Sequence, residues 1–231
     1  AVLHCRLRLK FLRYPLRWRS ANGEQPSVGE FGLYVALPAD RKGTHMSRFV
    51  EILVELEGRI SPRHLGSVLK TISKRFDSTT AHLELRFPYF IEKQAPVSMA
   101  RSYMDYQCAF LAAYDRRRRP PLDLVLEVAV PVSTLCPCSK AISSHGAHNQ
   151  RSTVTMRTRS RSLVWIEELV EIAEAEASSP LFALLKRADE KHVTESAYSR
   201  PRFAEDVARA VALRLKADRR ITWFQVESEN M

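Results

Sequence analysis

The chain has 231 residues, of which 45% are hydrophobic and 27% charged, the balance of an ordinary globular protein with enough length for a substantial core. No window approaches the roughly 20 apolar residues of a membrane span, and the basic first twenty residues lack an uninterrupted apolar core. Neither a membrane span nor an export signal is therefore expected, and the cytoplasm is the expected compartment. Lysine and arginine number 36 against 26 acidic residues, a formal charge of +10, which suits either a nucleic acid or a polyanionic small molecule.

In chain order, His4 to Trp18 alternates. Cys5, Leu7, Leu9 and Phe11 share one face opposite Arg6, Arg8 and Lys10, and after a slip of phase Leu12, Tyr14, Leu16 and Trp18 continue. The pattern predicts a strand with a bulge, one face buried and one basic. A targeting segment of similar charge would show helical period instead. Ala21-Asn22-Gly23-Glu24 is a turn signal, and Val28 to Leu37 a second strand. Beyond ADRKGTHMSR, the spacing of Phe49, Ile52, Leu53 and Leu56 predicts a helix. Ser61-Pro62 opens another, whose stripe is Leu65, Leu69, Ile72 and Phe76. Ala81 to Phe90 and Ser98 to Tyr114 read as strands. Arg116 to Arg119 with Pro120-Pro121 lacks the interleaved aromatics of a base-stacking surface, so it reads as a solvated loop between two halves, residues 1–119 and 120–231.

The second half repeats the plan. Leu122 to Val132 and Ser152 to Ser160 read as strands. A helix is predicted from Leu163, Ile166, Leu169 and Val170, and Pro180 to Arg187 reads as a short extra one. Phe203, Val207 and Val211 mark a further helix, and Ile221 to Val226 a strand. Pattern alone supports an α+β class.

Between the first two strands of this half, Pro131 to Arg151 reads as a long loop that holds Cys136, Cys138, His145 and His148. Rigidly supported loops are where chemistry tends to sit. A thiolate and an imidazole that meet at one point suit a divalent metal or a Cys–His nucleophile pair, against the plain reading of incidental polar residues and packed thiols. The four cysteines, at 5, 108, 136 and 138, do not make a disulfide framework in a chain this long, and free or metal-bound thiols are expected. Gly43-Thr44-His45-Met46-Ser47-Arg48 and Gly146-Ala147-His148-Asn149-Gln150-Arg151 share the spacing GxHxxR, either by chance or because both face one anionic substrate.

LCPCSKAIS followed by GAHNQRS resembles the signature of GTP cyclohydrolase type IB. GTHMSRFVEIL, FPYF and VTESAYSRPRFAEDV resemble further blocks of that family, in the family's order. The resemblance implies two tandem tunnelling-fold (T-fold) units, each an antiparallel sheet with two helices on one face. It also implies a homotetramer with sites at subunit interfaces. The implied reaction converts GTP to 7,8-dihydroneopterin triphosphate and formate, the first step of tetrahydrofolate synthesis. It needs one divalent ion per site (zinc, manganese or iron) to activate water.

By motif match, Cys138, His148 and Glu190 would be metal ligands, with Cys138 and His148 at the catalytic centre. The family's fourth ligand, a tail histidine, has no match by Met231. Glu205 would accept two hydrogen bonds from guanine, at N1–H and the exocyclic amine. Arg48, Lys140 and Arg151 are assigned to the triphosphate on charge and motif position, and His45 is read as either a general acid or a phosphate contact. On residues alone, Glu190 better suits an exposed acid, His192 a competing ligand and Glu205 a first-turn acid favoured by the helix dipole. Cys136 stays open between metal neighbour, disulfide partner and packing. Three rival functions remain: an archaeal-type cyclohydrolase with a cyclic phosphate product, a metal-stabilised RNA-binding module, and a thiol redox protein. Nucleic acid is not the expected partner.

Overall fold

Strand β1 (Cys5–Ser20) pairs antiparallel with β2 (Gly23–Leu37), and their register shifts between Leu9 and Leu12. The shift is the bulge that the slip of phase predicts. Phe11 sits at it with φ of 58° and its ring 70% exposed, so it does not belong to the buried face its spacing assigns it to. Then come α1 (Ser47–Glu55), the two-residue β3 (Arg59–Ile60), α2 (Pro62–Arg75), β4 (Thr80–Gln94) and β5 (Arg101–Asp115). The remaining elements are β6 (Leu122–Leu135), α3 (Pro137–Ile142), β7 (Asn149–Ser160), α4 (Ile166–Glu176), β8 (Ser179–Pro180), α5 (Arg187–Ser199), α6 (Ala204–Ala217) and β9 (Ile221–Asn230). This computed structural model describes residues 5–20, 23–37 and 46–230. His45 and the first half of the predicted turn at Ala21 lie outside them.

Hydrogen-bonded strand neighbours run β3-β1-β2-β4-β5-β6-β7-β9, and β8 pairs with β6. β1 and β3 are parallel, while β2 with β4 and β7 with β9 are antiparallel. The chain divides into two compact units, Ala1–Pro88 with Cys108–Leu126, and Tyr89–Gln107 with Glu127–Met231. The class is α+β.

In the first unit, Ser61 precedes α2 in extended conformation and Pro62 occupies the first turn, where its missing N–H costs nothing. The stripe Leu65, Leu69, Ile72 and Phe76 is buried, and Phe76 stacks on Phe49 of α1 at 4.3 Å. Trp18 packs against Phe87 and Phe110 at 5.1 and 4.9 Å. Arg116 to Arg119 form an exposed turn, as read from the sequence.

In the second unit, Val128, Val130 and Val132 alternate inward on β6, as do Val154 and Met156 on β7. α6 lays Val207, Val211 and Leu215 onto β9 and against α4; each buried side chain of this size contributes about 1.5–3 kcal/mol. Glu174 of α4 accepts hydrogen bonds from Lys93 Nζ (2.6 Å) and Tyr106 Oη (2.9 Å). Burial, then the Glu174 charge, pushes the Tyr106 phenol well above its ordinary range.

Four sequence readings are corrected here. The loop predicted over Pro131 to Arg151 is shorter, because β6 runs on to Leu135, α3 occupies residues 137–142 and β7 begins at Asn149. Pro180 to Arg187 is not a helix: Ser179 and Pro180 pair with Ser133 and Val132, and the helix begins only at Arg187. α5 has no counterpart in the sequence reading, since only Asp189 and Ala197 of its residues are buried. Ser98 lies in a turn before β5 rather than in the strand, with Met99 at φ of 57°. No helix among the described residues is long and apolar enough to cross a membrane.

Candidate active site

The thiol segment owes its shape to two local devices. Cys136 is the N-cap of α3: its Sγ accepts from Ser139 N–H at 3.4 Å, and Pro137 sits at the first helical position. The segment then closes on itself. Cys136 N–H donates to His148 O (3.1 Å), and His148 N–H donates to Ser139 Oγ (3.3 Å). Gly146, at φ of 117°, makes the turn that allows the closure. Cys138 and His148 are therefore held in one small loop, ten residues apart in sequence, and both are exposed.

The two thiols differ. Hydrogen bonds led by the Ser139 N–H, with Cys138 adding its own N–H and side chain, hold the Cys136 thiol below the ordinary cysteine range against the opposing cost of burial. Cys136 is the half-buried, hydrogen-bonded sulfur and Cys138 the more exposed one. Cys108, Cys136 and Cys138 are all free thiols.

Three contacts tie neighbouring segments to this loop. Leu135 O, one residue before Cys136, accepts from Arg202 N–H at 3.0 Å, three residues before Glu205. Leu135 N–H donates to Ser178 Oγ at 3.0 Å. Lys140 of α3 donates to Tyr198 O near the end of α5 at 2.5 Å, and its Nζ lies 4.2 Å from the Tyr198 ring centroid. A cation against the last carbonyls of a helix is favourable electrostatically.

Glu205 projects from the first turn of α6 and is exposed. Its neighbour Asp206 pairs with Arg209 at 3.0 Å, whereas Glu205 makes no ion pair among the described residues. Arg151 on β7 is likewise exposed. Arg48, in the first unit, donates to Arg75 O at 3.4 Å.

Glu190 lies in the first turn of α5, exposed and with no ion pair among the described residues. It stands eight residues, or about 12 Å along the helix, from the Tyr198 end that meets α3. Asp189 beside it is the residue that sequence reasoning missed. It is fully buried, and its carboxylate accepts from Val97 N–H and Ser98 N–H (2.8 Å each), Ser98 Oγ (2.6 Å) and Lys186 N–H (2.8 Å). Burial alone would raise this carboxyl, but those hydrogen bonds outweigh it and hold it well below the usual range.

On donor chemistry, sulfur, imidazole and carboxylate fit a divalent ion of the zinc or manganese kind. On geometry, backbone hydrogen bonds tie His148 to Cys136 and Ser139 within the thiol loop, and among the described residues no hydrogen bond or ion pair joins Glu190 to that loop. Among the described residues no three of His, Cys, Asp and Glu are grouped to hold a metal ion. On the other face of α5, His192, Ser196 and Arg200 line a cleft of about 320 Å³ with Ser178 and Phe182.

Comparison with solved structures first defines the fold. The chain superposes on a hyperthermostable mutant of Bacillus sp. TB-90 urate oxidase with a TM-score of 0.56 at 11% identity, over 99% of this chain and 89% of that one. A uricase from Arthrobacter globiformis gives 0.56 at 11% identity, over 98% and 81%. Identity this low transfers the architecture and nothing of the chemistry.

Sequence comparison then gives the family. The family model for type I GTP cyclohydrolase FolE2 matches residues 8–231. GTP cyclohydrolase FolE2 of Syntrophotalea carbinolica is 50% identical over 223 residues, which is 96% of this chain and 82% of that protein. The Kosmotoga olearia protein of the same name is 47% identical over 220 residues, 95% and 84% respectively. The chain belongs to the FolE2 family of type I GTP cyclohydrolases.

Proposed function

We propose that this chain hydrolyses and rearranges GTP to 7,8-dihydroneopterin triphosphate with release of formate, the entry reaction of tetrahydrofolate synthesis. Near full-length similarity to proteins named GTP cyclohydrolase FolE2 supports the activity. The single structural observation that carries the site is the closed thiol loop, which presents Cys138 and His148 together on a fixed backbone.

In this reading Cys138, His148 and Glu190 hold one divalent ion (zinc, manganese or iron), with Cys138 and His148 at the reacting centre. When bound, the ion supplies the Lewis acidity that makes water nucleophilic near neutral pH. Glu205 accepts the guanine N1–H and exocyclic amine, which fixes the purine and selects against adenine, a base without an N1–H. Arg48, Lys140, Arg151 and His45 take the triphosphate. Lys140 then exchanges its Tyr198 contact for a phosphate oxygen.

Residues 1–119 and 120–231 are read as two T-fold units. The first half, two long strands, two helices separated by the two-residue β3, then two long strands, and the likeness to urate oxidases support this. The same reading takes a homotetramer with sites at subunit interfaces, in which Glu190 would meet the thiol loop of a neighbouring copy. The expected compartment remains the cytoplasm.

A second assignment, in which Cys136 rather than Cys138 is the sulfur ligand, draws on the Ser139 N–H that Cys136 Sγ accepts at 3.4 Å, a contact that favours the thiolate form. Metal content of Cys136→Ala and Cys138→Ala, each measured after dialysis against manganese, separates the two. The ligand's removal empties the site, and the other variant stays loaded.

A further inference from the structure

α5 carries Glu190, yet little apolar surface fixes how this helix is rotated. Of its thirteen residues only Asp189 and Ala197 are buried, with Val193 half-buried on the same face, a thinner seat than the stripes of α2 and α6. Two polar contacts hold its ends instead: Lys140 on Tyr198 O at the C-terminal end, and Asp189 at the N-terminal end.

The Asp189 contact is more than a helix cap. One carboxylate accepts from Lys186 N–H, which caps the first turn, and from three donors of the turn between β4 and β5: Val97 N–H, Ser98 N–H and Ser98 Oγ. An exposed serine, threonine or aspartate would have capped the helix without burial. Here the cap is fully buried, and it joins the helix to a turn that is itself tight, with Ala95 N–H on Ala100 O at 2.9 Å and Met99 N–H on Ala95 O at 3.2 Å.

Successive residues of a helix point about 100° apart. Once Asp189 is seated inward, the direction of Glu190 follows, and Glu190 is indeed exposed. We propose that Asp189 is a positioning residue: by anchoring the first turn of α5 to Val97 and Ser98, it fixes the rotation of the helix and with it the aim of the Glu190 carboxylate. This rests on the reading of Glu190 as a metal ligand. Asp189 touches neither substrate nor metal in this scheme, and Ser98 is its working partner.

The test is manganese binding by the purified full chain, measured by titration alongside the melting temperature, for wild type, Glu190→Gln, Asp189→Asn, Ser98→Ala and the double variant Asp189→Asn/Glu190→Gln. Glu190→Gln is expected to weaken manganese binding at least about tenfold, and Asp189→Asn by about tenfold, the scale of lost support behind a ligand. The double variant should bind no more weakly than the weaker single, since one change removes what the other aims. Ser98→Ala should weaken binding a few-fold.

An Asp189→Asn protein that melts earlier but binds manganese as tightly as wild type overturns the proposal, and so do losses that multiply in the double variant. If Asp189→Asn does not fold, wild-type affinity in Ser98→Ala overturns it equally. Wild-type affinity in Glu190→Gln removes Glu190 from the metal site, and with it the reason to aim that side chain.

Discussion

Two short regions of the second unit hold exposed, chemically capable side chains, and they do so in opposite ways. The loop from Cys136 to His148 is shaped from within: a thiol cap, a proline, a glycine of positive φ and two hydrogen bonds between its own residues. The start of α5 is shaped from outside, by one buried carboxylate that grips a turn about ninety residues earlier in sequence. The first region keeps its form if its own residues are kept. The second depends on a partner that no local pattern reveals, so a change at Ser98 should be felt at Glu190.

The sharpest way to break the comparison is to remove the side chains each region presents. His148→Ala and Glu190→Gln should each cost more than about 100-fold in formate release, with metal lost from the purified protein, because ligands outrank the groups that support them. If His148→Ala empties the site and Glu190→Gln leaves it full, the two regions do not serve one ion. The next effect is smaller and falls on substrate alone. Glu205→Gln should weaken GTP binding by about 10- to 100-fold, the value of a charge-assisted pair of hydrogen bonds, while metal content stays at the wild-type level.

Lys140→Met bears on the contact between the two regions. It should raise KM for GTP a few-fold, as lost phosphate contacts do, and lower the melting temperature slightly as α3 loses its hold on Tyr198. An unchanged KM would leave Lys140 only its structural part.

The smallest effect lies in the other unit and serves as a control. The Arg117 guanidinium and N–H hold the Asp115 carboxyl at about 2, against an ordinary 3.8. A depressed carboxyl stabilises the fold above its ordinary range and loses that contribution as pH falls toward its folded value. The urea midpoints of wild type and Asp115→Asn should therefore differ at pH 5 and converge near pH 2, with metal binding at neutral pH unaffected.

What could be read from the sequence follows the same division. Local signals spoke plainly: the phase slip at Leu9 to Leu12, Ser61-Pro62 before α2, the stripe of Leu65, Leu69 and Ile72, and the cluster of cysteine, proline, histidine and glycine in the thiol loop. Phe11 misled because the bulge turns out the very residue that the alternation assigns inward. α5 was illegible because helical period is read from apolar spacing, and this helix buries an aspartate and an alanine. Asp189 lies in a run of charged residues, Lys186 to Lys191, broken only by Ala188, where nothing distinguishes a buried acid from a solvated one. Which cysteine sulfur accepts a backbone hydrogen bond depends on the N–H that Ser139 directs at Cys136, a matter of geometry rather than composition.

The direct test of the central claim is to supply GTP to the metal-stripped chain with zinc, manganese or iron(II), one at a time. Formate and, after oxidation, a fluorescent pterin should appear in equal amounts with at least one of these ions and disappear on chelation. Turnover that survives chelation, or GTP left intact with all three ions, would contradict it.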